Sequence, residues 1–458
     1  MAMPSSSTVA LVMIALTTTA RASTLHVYDG SIQAAIDGAT DADKIIVHPG
    51  TYSELIDFSG KAITLRSSDG PDVTILDGRG EGPVVRCQNN EGPDTVLEGF
   101  TIIGGQASFG GGMYISDASP TIVGCTFRAN DASMGADVRG GAMYVFGGSP
   151  LVTECTFVGN TVGGLGSNNA FGAGVFLNRS NAAVINCRFL GNTATADFPA
   201  GIVSAGGGGI CVLQGSAAVV NCLFSGNAVS ATAGSLPGDE AQAFGGGVVS
   251  ISADMAVVNG TFTGNAVTVP APHEVAAGAG VCGLAPGTVT VDNSIFYQND
   301  TGMPAPDVYG TLTVSYSCVF PAYPLAGEGN ILANPLFVNA RGPDGTFGTL
   351  DDDVHLTPQS PCLDTGDTGA AWADWPELDG HARVLCETVD MGAYELGIGD
   401  YECDDDVDLG DFASWDACMT GPHHGPYLDG CEAFDFEFDG DVDMTDFAQF
   451  QMIFEGQP

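Results

Sequence analysis

Twelve acidic residues near the C-terminus recur at a spacing suited to a hard cation. Asp435, Glu437, Asp439, Asp441, Asp443 and Asp446 fall at positions 1, 3, 5, 7, 9 and 12 of a loop, with Gly440 at position 6. Roughly six to eight oxygen ligands at such a spacing wrap Ca²⁺, and glycine permits the sharp turn. Position 7 would offer its backbone carbonyl, and position 9 would act through water. A second copy lies 35 residues earlier: Asp400, Glu402, Asp404, Asp406, Asp408 and Asp411, with Asp405 in the glycine position. A matching helix start follows each loop, Asp411-Phe-Ala-Ser-Trp415 and Asp446-Phe-Ala-Gln-Phe450. Residues 399–458 contain no Lys or Arg, so without a cation the carboxylates repel one another.

Ahead of this tail stands a repetitive chain. Cys-x-Phe-x-x-Asn occurs at Cys125–Asn130, Cys155–Asn160, Cys187–Asn192 and Cys222–Asn227, with weaker copies at Gly260–Asn265 and Ser294–Asn299. Such a period predicts a stacked solenoid. Met113 to Cys125, Met143 to Cys155, Val175 to Cys187, Ile210 to Cys222 and Val248 to Gly260 are each twelve residues apart. Alternating apolar residues in these segments predict short strands with one face in a core. Stacking in register, about 4.8 Å apart, makes columns of Phe127, Phe157, Phe189, Phe224, Phe262 and Phe296, and of the six asparagines. Asparagine tolerates a left-handed corner, and its amide can bond the next turn. Stacked cysteines keep parallel Cβ vectors about 4.8 Å apart, against about 3.8 Å in a disulfide, which favours buried thiols over bridges or metal. The variable stretches 131–139, 161–171, 193–205, 228–244 and 266–277 all leave one corner. They predict loops on one side, either a binding face or solvated filler. Ser31 caps a short helix through Ile32, Ala35 and Ile36 that covers the open end of the core.

Asp43-Lys-Ile-Ile-Val-His-Pro-Gly-Thr-Tyr52, Lys61-Ala-Ile-Thr-Leu65 and Ile75-Leu-Asp-Gly78 resemble the opening of bacterial right-handed parallel β-helix proteins of the pectin-lyase-like class. The Cys-x-Phe-x-x-Asn copies resemble their middle turns. Asn334-Pro-Leu-Phe337, Ser360-Pro-Cys362-Leu-Asp364-Thr-Gly366 and Asp390-Met-Gly-Ala-Tyr-Glu395 resemble the closing segment of the same secreted proteins. The duplicated acidic loop plus helix resembles a type I dockerin module, which implies a cohesin-like receptor. Position 12 is Asp, as in dockerins, rather than the Glu of EF-hands. Positions 10 and 11 are Leu409-Gly410 and Met444-Thr445, not the Ser/Thr pairs often used to grip cohesin. The resemblance implies an all-β fold, a right-handed single-stranded parallel β-helix, joined to a small α-helical Ca²⁺-binding domain. The expected boundaries are 1–22 signal peptide, 23–335 β-helix, 336–398 closing coil and cap, and 399–458 dockerin-like pair.

The class resembled contains polysaccharide lyases that use acidic Ca²⁺ clusters and an Arg base. Arg128 and Arg188 flank inward phenylalanines and so face outward, with Asp131, Asp137 and Asp197 as nearby carboxylates, but no lyase motif surrounds them. The Asp-Asp, Gly-His-Gly and Arg-x-Lys motifs of polygalacturonase-type hydrolases are missing. His273, beside Glu274 in a Pro-rich loop, reads as surface. Asp351, Asp352, Asp353 and His355 form an acidic turn that is either a cation site or a solvated loop. Cys362 and Cys386 bracket the closing segment as candidates for a bridge. Cys418 and Cys431 flank a turn whose His423-His424 reads as surface rather than as a zinc site.

With 12 Lys plus Arg against 55 Asp plus Glu, the net charge of −43 argues against nucleic acid and repels polyanions unless cations bridge them. Val9 to Leu16 followed by Ala20-Arg21-Ala22 predicts a secretory signal and a secreted or surface protein, with no membrane span after its removal. Thirteen cysteines fit an oxidising compartment. The expectation is an exported, non-catalytic protein binding a carbohydrate or cell-surface partner through its corner loops, with a Ca²⁺-dependent tail as anchor. The alternative is a polysaccharide lyase or glycoside hydrolase.

Overall fold

The computed structural model describes residues 22–270, 274–302, 307–321, 325–370, 372, 375–380, 382–384, 388–396, 409–421, 431, 434–436 and 441–456. Nearly all of the expected signal segment, residues 1–21, lies outside this range.

Each middle turn lays down three short strands, for example Met143–Phe146, Leu151–Thr153 and Thr156–Val158. Successive turns pair in parallel and in register: Met113, Met143, Val175, Ile210, Val248 and Val281 are consecutive partners. Among the described residues, an 18-stranded and a ten-stranded sheet enclose the main core. In two turns the first two strands fuse, giving Val175–Ile185 and Ile210–Val220. At the first end, Ser31 accepts the Ala34 amide at 3.1 Å and Lys61 Nζ caps three carbonyls at the end of helix Ile32–Gly38. Ile32 and Ile36 are fully buried there, as their spacing predicts.

The six phenylalanines form one internal column, with centroids 4.7–4.9 Å apart and ring planes within 7° of each other. All six are fully buried. The same period stacks the asparagines. Asn192 Oδ1 accepts both the backbone amide of Asn160 at 3.0 Å and its side-chain amide at 2.9 Å, while Asn192 Nδ2 donates to the Phe157 carbonyl at 2.8 Å. This pattern repeats from Asn130 to Asn299. Left-handed backbone falls one residue earlier than expected, on Ala129, Gly159, Gly191, Gly226, Gly264 and Gln298. The ladder asparagines therefore act through hydrogen bonding and not by tolerating the turn. A second asparagine row, Asn186, Asn221, Asn259 and Asn293, does adopt the left-handed conformation (φ 50–54°). Cys125, Cys155, Cys187 and Cys222 are buried free thiols, as expected. Cys155, Cys187 and Cys222 each donate to the carbonyl two residues before them at 3.2 Å.

The variable stretches are not loops. They leave the body at one corner, as their spacing predicts, but run out and back as strands. The outgoing strands include Thr161–Leu165, Thr193–Asp197 and Ala228–Thr232; the returning ones include Asn169–Phe171, Ile202–Gly206 and Glu240–Phe244. Six outgoing and five returning strands pair turn over turn into two parallel sheets among the described residues. Between these sheets lies a separate core made of alanines and valines, among them Ala132, Val162, Ala194, Ala205, Ala231 and Ala243. The sheets approach so closely that a Cβ on Gly163 would lie 2.6 Å from the Ala170 Cβ. The result is a thin two-layer fin.

The closing segment folds back along the outer face of the ten-stranded sheet. Gly348 N donates to Ser225 Oγ at 3.0 Å, Ala393 N to Thr261 Oγ1 at 2.9 Å and Gly392 N to the Asn293 carbonyl at 2.8 Å. The second asparagine row serves this contact: Asn221 donates to the Pro376 carbonyl at 2.7 Å and Asn293 accepts the Asp367 amide at 2.7 Å. Asp390 accepts the Asp364 and Leu396 amides, and buried Arg383 binds Glu395 at 3.2 Å. These contacts give the acids of Asp390-Met-Gly-Ala-Tyr-Glu395 a structural task. The candidate Cys362–Cys386 bridge is not formed: Cys362 is a buried free thiol that packs in one cluster with Cys318. Cys386 lies outside the described residues.

Candidate functional site

On the outer face of the 18-stranded sheet, in-register pairing sets Arg86, Tyr114, Tyr144, Phe176, Cys211, Val249, Cys282 and Tyr309 in one row. Tyr114 stacks on Tyr144 at 5.5 Å and Tyr144 on Phe176 at 5.6 Å. The root of the fin covers most of the row: Phe109 packs on Tyr144, and the Arg139 guanidinium sits 5.2 Å over Phe176. Where the fin begins the row is open. There Pro83, Arg86, Gln88, Ala107, Ser108, Phe109 and Tyr114 line a cavity of ≈ 390 Å³. Arg86 is half-buried, and no acid pairs with it among the described residues. An aromatic face, an amide and a guanidinium around one cavity provide stacking and hydrogen-bond donors, and the Ser108 hydroxyl, which donates to the Met134 carbonyl, adds an acceptor. No sequence motif signals it, because its residues come from separate turns.

Under the closing segment lies a chain of charges. Arg188 donates to Asp379 Oδ1 at 2.5 Å, Asp379 Oδ2 meets His355 Nε2 at 2.7 Å, and His355 Nδ1 meets Asp353 Oδ1 at 2.7 Å. The Tyr394 ring packs 4.3 Å from His355. Burial works against the imidazolium, but hydrogen bonds and charges from Asp353 and Asp379 outweigh it and lift the His355 pKa to about 9. A histidine held charged by two carboxylates is a fastener and a poor general base at neutral pH. Asp351, Asp352 and Asp353 do not converge on a cation. Asp351 bonds Thr349, Asp352 accepts Ser225 Oγ at 2.6 Å and the Gly348 amide at 2.7 Å, and Asp353 holds His355.

The candidate lyase residues are not brought together. Arg188 aligns with Thr156 and Arg128 with Val158, so they stand on opposite sides of the phenylalanine column and two turns apart. Arg188 is engaged by the closing segment, and Arg128 is exposed. Asp131 and Asp197 lie in one sheet of the fin and Asp137 in the other, where Asp137 pairs with Arg139 at 2.9 Å. His273 lies outside the described residues. Glu274 begins the fin strand Glu274–Ala277.

In the acidic tail, helices Leu409–Cys418 and Met444–Gly456 follow the two loops. Trp415, Phe434, Val442 and Phe450 form their core beside a Cys418–Cys431 disulfide. Carboxylate oxygens of Asp441, Asp443 and Asp446 lie within 4.8 Å of one another. Asp446 also accepts the Phe436 amide at 2.7 Å and the Asp443 amide at 2.7 Å, which closes the loop onto the helix start. Three hard oxygen donors at this spacing fit Ca²⁺. Asp411 and Asp435 are both buried. Asp400, Glu402, Asp404, Asp406, Asp408, Glu437 and Asp439 lie outside the described residues, as do His423 and His424.

The family described as "Right handed beta helix region" matches residues 62–237, in agreement with the turn-by-turn pairing. A solved structure titled "Crystal structure of pectate lyase Pel9A" is 14% identical, with 81% of this chain and 96% of that chain covered and a TM-score of 0.38. Another, "Pectin methylesterase from Carrot", is 11% identical, covers 63% of this chain and 87% of its own, and has a TM-score of 0.34. Among curated proteins none matches. The chain carries a right-handed parallel β-helix, and no helix among the described residues is long and apolar enough to cross a membrane.

Proposed function

We propose that this chain is an exported, non-catalytic β-helix protein that binds a carbohydrate at the foot of the fin. A Ca²⁺-dependent dockerin-like tail would anchor it to a cohesin-like receptor or cell surface. The observation that carries the reading is the cavity where Arg86, Gln88 and Ser108 meet the Tyr114 ring. Sugars are bound by apolar ring faces flanked by a few convergent donors, and this wall offers both. The corner stretches are a weaker choice of binding surface, since their side chains fill the fin's own core. In the tail, Asp441, Asp443 and Asp446, with Asp435, Glu437 and Asp439, would hold one Ca²⁺. Asp400, Glu402, Asp404, Asp406, Asp408 and Asp411 would hold a second. The bound ion would neutralise the carboxylates and draw the loops together.

The test is incubation of the full chain with pectin, alginate and xylan, with and without Ca²⁺. Binding is followed by calorimetry, and turnover by unsaturated-uronide absorbance and reducing ends. Saturable binding without product supports the reading. Product formation lost in Arg128→Ala or Arg188→Ala would replace it with a polysaccharide lyase or hydrolase.

A further inference from the structure

Two cysteines outside the internal column face each other across the seam between body and closing segment. Cys318 opens strand Cys318–Phe320 and pairs in register with Ile295. Because Phe296 and Val319 point into the core, Ile295 and Cys318 point out of it. Cys362 comes from the closing segment, with its backbone held by Ser360 Oγ and by Met391. The two thiols sit together in one apolar cluster with Ile295, Leu356 and Met391. Both are fully buried and are free thiols in this structure. The parallel-vector argument that excludes bridges within the rung-stacked column does not apply, since these side chains approach from two opposed surfaces.

We propose that Cys318 and Cys362 form a disulfide that staples the closing segment to the last turns of the β-helix. The oxidant is an external disulfide, either oxidised glutathione or that of a thiol oxidoreductase. With the closing segment released, the thiolate of either cysteine attacks the external disulfide. It forms a mixed disulfide and expels one external thiol. The second cysteine then loses its proton, attacks the sulfur of the first and expels the second external thiol. Two protein S–H bonds and one external S–S bond are exchanged for one protein S–S bond and two external thiols. As neither sulfur is exposed in the docked state, the exchange takes place before the closing segment docks or during its brief release.

The full chain is exposed to oxidised glutathione, unfolded in denaturant with an alkylating agent, and mapped as peptides without reduction. The expected result is a linked pair of peptides holding Cys318 and Cys362, lighter by two hydrogens and lost after reduction. Alkylation of both cysteines, or a link from Cys362 to Cys386, would overturn the proposal. A second readout is limited proteolysis within residues 325–396. Reductant should speed cleavage there several-fold in the natural chain and leave Cys362→Ala unchanged. Equal acceleration in both would also overturn it.

Discussion

Asn192 accepts two hydrogen bonds from Asn160, one from its main chain and one from its side chain, and returns a bond to the turn that holds Phe157. Both asparagines are fully buried, so every bond is made away from water. Replacing Asn192 by Ala strands the Asn160 backbone amide and one hydrogen of its side-chain amide. A buried unsatisfied group costs roughly 1–3 kcal/mol, and more than one is created here. Thermal unfolding should show a loss of about 2–5 kcal/mol on that basis. Asn192→Asp, which keeps the acceptor but buries a carboxylate against the Phe157 carbonyl, should lose at least as much at neutral pH.

Phe189 stacks on Phe157 at 4.7 Å and on Phe224 at 4.8 Å. Truncation to Ala leaves a hole with rings on both sides that the rigid rung spacing cannot close. The expected cost is about 3–5 kcal/mol, read from denaturant midpoints. Phe189→Leu should cost less, since it keeps most of the volume.

His355 ties Asp353 to Asp379, and Asp379 to Arg188 on the body. Its pKa is raised from 6.5 to about 9. The sign is that of a cation gaining partners: its contribution is complete below about pH 6.5 and fades as pH rises through about 9. Proteolysis within the closing segment should therefore accelerate between pH 7 and pH 10. His355→Gln should cleave faster at pH 6 and respond less to pH.

Removal of divalent cations should loosen the tail and leave the β-helix intact. Far-UV circular dichroism should lose helix on chelation and regain it with Ca²⁺, while the strand signal stays. Asp446→Ala removes a carboxylate that also accepts two backbone amides, so it should lower Ca²⁺ affinity more than Asp443→Ala does.

Tyr114→Ala and Arg86→Gln should each weaken carbohydrate binding without changing the melting temperature by more than a few degrees. One lost stacking or charged hydrogen bond corresponds to about 1–3 kcal/mol, or roughly a 5- to 150-fold rise in Kd by calorimetry.

The columns of Phe127 and Asn130 were legible because their spacing recurs with little change and their chemistry is distinctive. The fin was not legible. Ala194-x-Ala196, Val203-x-Ala205 and Ala241-x-Ala243 do alternate, but alanine among Gly, Ser and Thr reads as a loop until a neighbouring turn supplies its partner. The closing contact was hidden for a different reason. Arg188 and Asp379 are 191 residues apart, and neither position announces the other. Arg86, Ser108 and Tyr114 likewise become a wall only after stacking brings their turns together. Side chains that repeat are predictable from period alone, whereas those that meet once need the coordinates.

Because outgoing and returning strands of the fin start and finish at the same corner, what happens at its rim is mechanically decoupled from the barrel of rungs beside it. The exposed rim segment 235–238 should accept a foreign peptide, reporter or affinity handle, and a row of such grafts would display a ruler marked at the interval of the turns.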